Sequence, residues 1–191
     1  MQTKVSTGPA DRGQIGVSPT ILPGKSYLSL VLDVPACVHE DVMQWRSHHC
    51  SHPGHPLHIT VFIAELGERP EESAERFLSE FEDQCLGLGP GRITLTGTGT
   101  FRPMSDVVFL SVGEGTEFLH ELHNRCLKLL DSASPFLYHP HMTLTQNEGR
   151  RTLEAALADF RDFTATFPVT GLDAYIGDET GWRSLGRVDL R

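Results

Sequence analysis

Two short runs carry residue types at a spacing suited to chemistry at phosphorus: Leu57-His58-Ile59-Thr60-Val61-Phe62-Ile63 and Pro140-His141-Met142-Thr143-Leu144-Thr145. Successive side chains of an extended strand point to opposite faces. His58 and Thr60 therefore share one face, with Leu57, Ile59, Val61 and Ile63 on the other. The same count groups His141, Thr143 and Thr145, backed by Met142 and Leu144. Opening a phosphodiester with water requires one group to take a proton from the nucleophile and another to give one to the departing alkoxide. Imidazole suits both roles near neutral pH, so one neutral and one protonated ring on opposite sides of a phosphorus would suffice without metal. Thr60 and Thr143 are placed to hydrogen-bond the nonbridging oxygens, as uncharged donors that hold the anion while its charge rearranges.

A single His-x-Thr says little, because in a chain with ten histidines chance alone supplies about one. Ordinary strand threonines and polar-face histidines would produce the same tripeptide. The context gives weight to the pair. Each His run is preceded by a helical pattern and followed by a helix and further strands.

The chain has 191 residues, 39% of them hydrophobic, which suits one well-buried domain or two intimately packed lobes. A net charge of -9 disfavours a protein that holds long nucleic acid mainly by neutralising phosphates. Cys37, Cys50, Cys85 and Cys126 show no Cys-x-x-Cys spacing and follow no secretory leader, so free thiols in a reducing cytoplasm are expected. No apolar run reaches the length of a membrane span, and a soluble protein is expected.

Residues 1–25, rich in Gly, Pro, Ser and Thr, read as a mobile arm, and residues 26–191 as one domain. A strand is expected over 27–32. A helix over 35–49 follows, with Val38, Val42 and Trp45 as its apolar stripe. Its end runs into His48, His49, Cys50, His52 and His55, a Pro/Gly loop whose spacing matches no standard zinc pattern. A solvated loop is the simpler reading, with a metal site or pH-sensitive patch as the other.

After the first His strand, Ala74, Phe77, Leu78 and Phe81 mark a helix over 70–85, with Glu71 and Glu72 where the helix dipole favours acids. Residues 92–101 and 106–112 read as a hairpin-like pair. Thr116 is the expected N-cap of a helix to 130, buried through Phe118, Leu119, Leu122, Cys126, Leu129 and Leu130. Its His120 and His123 read as edge-of-core residues. Residues 131–136 form a Ser/Pro loop. The second His strand is followed by a helix over 150–163 and strands over 167–176 and 182–190, joined by a turn at 177–181.

Residues 57–112 and 141–190 thus repeat one order of elements, which implies an α+β fold of two pseudo-twofold lobes. Each lobe would be an antiparallel sheet with helices outside, and the two His/Thr faces would meet across one cleft.

His58-Ile59-Thr60-Val61 and His141-Met142-Thr143-Leu144, with Tyr138-His139-Pro140 leading the second, resemble the paired motifs of the two-histidine (2H) phosphoesterase superfamily, whose members include 2'-5' RNA ligase-like proteins. The resemblance spans roughly residues 26–190. It implies a bilobal fold around a central cleft, and metal-independent work, without a cofactor, on 2',3'-cyclic phosphates or 2'-5' linkages. His141 would activate water and His58 would protonate the leaving 3' oxygen, giving a 2'-phosphate. It also implies aromatic side chains holding the base, and Tyr27 and Tyr138 are the candidates by proximity in sequence.

The acidic composition favours a nucleotide, short oligonucleotide or RNA end as partner over long RNA. A cytoplasmic monomer that hydrolyses, and in reverse ligates, is the expectation. Two alternatives stand beside it: a module that binds a nucleotide or RNA end in the same cleft without turnover, and a metal-dependent hydrolase using the cluster from His48 to His55.

Overall fold

Alternating apolar residues punctuated by Gly and Pro produce eight strands and four helices in the computed structural model, which describes residues 21–130 and 137–191. They run β1 Ser26–Asp33, α1 Ala36–His49, β2 His58–Leu66, α2 Pro70–Cys85, β3 Gly91–Thr100, β4 Val107–Val112, α3 Thr116–Leu129, β5 His141–Gln146, α4 Arg150–Asp159, β6 Thr164–Val169, β7 Gly171–Asp178 and β8 Gly181–Asp189. Of the arm expected over 1–25, residues 1–20 lie outside the described residues. A turn closed by Lys25 N donating to the Leu22 carbonyl, 3.1 Å, leads into β1. The loop expected at 131–136 also lies outside them.

The strands form one antiparallel sheet in the order β6-β3-β4-β5-β2-β1-β7-β8. It consists of two four-stranded halves that meet at β2 and β5 through a single register pair, Ile59 with Met142. These halves are the two sheets of the expected α+β fold. The halves of the chain, however, are not the halves of the sheet. β3 and β4 join β5, while β7 and β8 join β1.

The exchange is possible because the strand expected over 167–176 is two strands. β6 pairs with β3, Ile93 opposite Phe167, and β7 pairs with β1, Leu28 opposite Ile176. Pro168 marks the difference, since proline is confined to edges and β6 is the outermost strand of its half. The unit that repeats is strand-helix-His strand-helix: β1-α1-β2-α2 and β4-α3-β5-α4.

The helices bury one stripe each against the sheet. α2 presents Ala74, Phe77, Phe81 and Cys85, and the Phe77 ring stacks on Phe62 and Phe81 at 5.6 and 5.8 Å. Each such fully buried side chain contributes roughly 1.5–3 kcal/mol. α3 buries Leu119, Leu122 and Cys126. Its N-cap is Gly115, not Thr116, whose hydroxyl instead donates to the carbonyls of Val112 and Gly113, both 2.8 Å. Gly115 is required there: its φ is 89°, and a Cβ would sit 2.4 Å from the Arg92 carbonyl oxygen. The stripe of α1 also differs from expectation. It is Val38, Val42 and Arg46, each four residues from the last, while Trp45 is half-buried and donates to Asp159 Oδ2 at 2.8 Å. Among the described residues no helix is long and apolar enough to cross a membrane.

Candidate active site

The single pair that joins the half-sheets also assembles the candidate site. Ile59 opposite Met142 places the central residues of both His-x-Thr motifs side by side. Continued by one residue each way, that antiparallel register sets His58 beside Thr143 and His141 beside Thr60. All four side chains lie on the face opposite the buried Ile59 and Met142. His58 and His141 are then diagonal neighbours, a relation that separates residues by about 7–8 Å in an antiparallel pair.

Each motif ends in a bulge. The register of β1 on β2 passes from Thr60 to Phe62, leaving Val61 unmatched, and that of β4 on β5 passes from Thr143 to Thr145, leaving Leu144 unmatched. A bulge reverses the alternation beyond it. Phe62, Ala64 and Leu66 are therefore buried and Ile63 is not, contrary to the simple count. Thr145 is likewise turned to the back. It is 4% exposed and within 3.4 Å of the Cys50 sulfur, so it does not join His141 and Thr143 on the front.

The two imidazoles differ in their backing. His141 Nδ1 lies 2.7 Å from the His139 carbonyl, which can only accept, so Nδ1 carries the hydrogen and Nε2 presents a lone pair. Burial lowers the pKa of His141, partly offset by this hydrogen bond. The Nδ1 of His58 is buried with no partner in hydrogen-bond geometry, although the Pro56 carbonyl lies close enough to favour the protonated ring. Burial, then the proximity of His141 and of Arg46, pushes His58 down to about 4. Both rings are therefore neutral at pH 7 in the free protein. An anion between them supplies the negative charge that draws a proton back to one of them.

The hydroxyls of Thr60 and Thr143 have no hydrogen-bond partner among the described residues, and both side chains are part-exposed beside the rings. The aromatic candidates are placed otherwise than expected. Tyr27 pairs with Glu65, whereas His58 pairs with Asp33 at the other end of β1. Six residues of strand put Tyr27 roughly 20 Å away, too far to hold a base whose phosphate lies between the histidines. Tyr138 is nearer but occupied: its ring stacks on His123 at 4.1 Å, and its hydroxyl donates to the Thr60 carbonyl at 3.1 Å.

The rings at the site that sequence reasoning missed are Phe101 and Phe109. They lie 4.9 and 5.1 Å from His141, and His139 packs against both. Phe109 faces Gly99 across the strand pair, where a Cβ would come within 2.5 Å of its ring. The Gly97-Thr98-Gly99 run was the available signal of such a close approach.

Arg46 was missed too. It is 3% exposed, has no carboxylate partner among the described residues, and stays charged at neutral pH although burial pushes it down to about 10. Its place one helical step beyond Val38 and Val42 was legible in the sequence.

His48 and His49 belong to the last turn of α1, with Nδ1 donating to the Gln44 and Trp45 carbonyls at 2.8 and 2.9 Å. His52 and His55 are exposed in the following loop. Among the described residues no group of three or more His, Cys, Asp or Glu side chains is arranged to hold a metal ion.

A family model described as the 2'-5' RNA ligase superfamily matches residues 33–181. No curated protein matches the chain. Among solved structures, Escherichia coli LigT complexed with ATP is similar at 25% identity and a TM-score of 0.63, over 87% of this chain and 98% of that one. LigT complexed with 3'-AMP shares 23% identity at a TM-score of 0.64, with the same coverage. The TT0787 protein of Thermus thermophilus shares 22% at a TM-score of 0.61, over 86% of this chain and 98% of that one. These likenesses show a common fold.

Proposed function

Because the chain belongs to the 2'-5' RNA ligase superfamily of 2H phosphoesterases, we propose that it is a metal-independent phosphodiesterase acting on 2',3'-cyclic phosphates, or 2'-5' linkages, of nucleotides, short oligonucleotides or RNA ends. The observation that supports the reading is the Ile59–Met142 pair, which brings the central residues of the two His-x-Thr motifs side by side on adjoining strands. The LigT complex with ATP supports a ligand of nucleotide size.

In this mechanism water attacks phosphorus opposite the 3' oxygen. His141, with Nδ1–H tied to the His139 carbonyl, accepts the water proton at Nε2. The bond from phosphorus to O3' breaks, and His58, protonated once the anion is bound, returns a proton to that oxygen. The product is a 2'-phosphate. Thr60 and Thr143 donate to the nonbridging oxygens. Phe101 and His139, beside His141, are better placed than Tyr27 to stack on a base. With an alcohol in place of water the same proton transfers join it to phosphorus as the bond to O3' breaks, giving a 2'-5' linkage and a free 3' hydroxyl.

The test is a panel of 2',3'-cyclic nucleotides, 2'-5' oligonucleotides and RNA with a 2',3'-cyclic end, with product identification. Conversion to the 2'-phosphate, unaffected by EDTA, is the expected result. Binding of the panel without any product would favour the non-catalytic module.

A further inference from the structure

The backbone of the two motifs is held in a way the reaction itself does not explain. The carbonyls of the Thr and of the bulged residue are the same two in each repeat: Thr60 and Val61, Thr143 and Leu144. All four accept hydrogen bonds from side chains. Arg46 on α1 gives Nη2 to Thr143, 2.8 Å, and Nε to Leu144, 2.7 Å. Tyr138 gives its hydroxyl to Thr60, 3.1 Å, and His123 on α3 gives Nδ1 to Val61, 2.8 Å. The leads into the motifs are tied as well, each at the third residue before its histidine. Arg46 Nη1 donates to the His55 carbonyl, and Tyr138 is itself the donor in the other half.

The arrangement is crossed. α1 precedes the first motif and grips the second, while α3 precedes the second and grips the first. Buried carbonyls without partners are costly, and β2 and β5 share only one register pair, so backbone groups along the seam must find partners elsewhere. A bulge offers two adjacent carbonyls to one helix. A guanidinium spans them with a planar fork, which suits Arg46 better than any point charge would. On the other side His123 and Tyr138, stacked at 4.1 Å with planes 9° apart, share the task.

Building on the proposed function, we infer that Arg46 and the His123–Tyr138 stack are positioning residues, each fixing the His-x-Thr motif of the opposite half so that the two imidazoles keep one separation across the seam. They do not touch substrate. Their effect is on where His58 and His141 stand. A misplacement of about 1 Å at a reacting centre costs about 10²-fold in rate.

The experiment compares Arg46→Met, Arg46→Lys and Tyr138→Phe in the full chain, measuring kcat and KM on a 2',3'-cyclic mononucleotide and the ring 15N signals of both histidines. In Arg46→Met kcat should fall about 10²-fold with KM moved less than about threefold, and Arg46→Lys should recover part of the loss. The ring signals of His141 should move in the Arg46 variants, and those of His58 in Tyr138→Phe. Tyr138→Phe removes one hydroxyl and keeps the stacked ring, so it carries the test if Arg46→Met does not fold. Ring signals are read without turnover. An inactive wild type would sink the proposed function while leaving the clamps to be judged by the spectra. A folded variant with wild-type kcat, or ring signals that stay in place, overturns the inference.

Discussion

Ile59 and Met142 form the one register pair between the half-sheets, and each is the central residue of a His-x-Thr motif. An antiparallel pair has a local twofold axis, and here that axis coincides with the pseudo-symmetry of the chain. Each histidine consequently stands beside the threonine of the other half, His58 by Thr143 and His141 by Thr60. In the proposed mechanism, a nonbridging oxygen bound by one hydroxyl would therefore be next to the imidazole of the opposite motif.

Thr60→Val and Thr143→Val should each lower kcat/KM by roughly 10- to 10²-fold, somewhat less than the loss of a side-chain amide from an oxyanion hole. The valine keeps the strand and its packing, so the melting temperature should stay near wild type. Unchanged kinetics in both variants would remove the threonines from the phosphate site.

His58→Ala and His141→Ala should each reduce turnover by about 10²–10⁴-fold, the range for loss of a general acid or base. The double variant should be little worse than either single one, since the rings act as a unit. Steady-state rates on one cyclic nucleotide decide this. Full activity in either single variant would break the acid-base pairing.

Both imidazoles and their threonines were legible because strand alternation holds up to the bulge. Beyond it the count fails. Thr145 was placed on the front by alternation, yet the unmatched Leu144 turns it to the back, and a bulge leaves no mark in a run as apolar as this one. α2 was legible to the residue, because Pro70 and the two following acids start it and Phe77 and Phe81 set its face. The two half-sheets were legible, but which strands belong to which was not, for a topological reason. Strands close in sequence need not share a half-sheet, and residues 167–176 hold an edge strand and an inner strand that differ in partners, not in composition. Arg46, the third member of the α1 stripe, is marked by position and not by residue type, because a guanidinium beside an apolar stripe ordinarily reaches out to solvent.

Stability and phosphate binding should both report on His58. Its folded value of about 4 lies below the 6.5 of an exposed histidine, so as pH falls through that interval the unfolded chain takes up a proton the folded chain refuses. Stability should therefore be full above about pH 6.5 and fall by about 3 kcal/mol as pH drops to about 4, a loss that His58→Ala should reduce. Denaturant titrations at several pH values measure it. An anion seated between the rings reverses the refusal, so inorganic phosphate should bind with proton uptake near pH 6. Calorimetry in buffers of different ionisation enthalpy detects that uptake, and equal uptake in His58→Ala would assign it to another group.

Gly99→Ala tests the ring packing behind His141. The new Cβ would lie 2.5 Å from Phe109 Cε2, and Phe109 is 4% exposed, so the ring has little free space to retreat into. Its neighbours include His141, 5.1 Å away. Overpacking of this kind costs typically about 1–3 kcal/mol. The same shift should turn the His141 imidazole and lower kcat more than it raises KM. Phe109→Leu in the Gly99→Ala background returns volume at the point of conflict and should restore most of the stability. If the activity returns with it, the orientation of His141 rests on the Phe109 ring having a glycine beneath it. If stability returns and activity does not, the phenyl ring itself is what holds the imidazole in place.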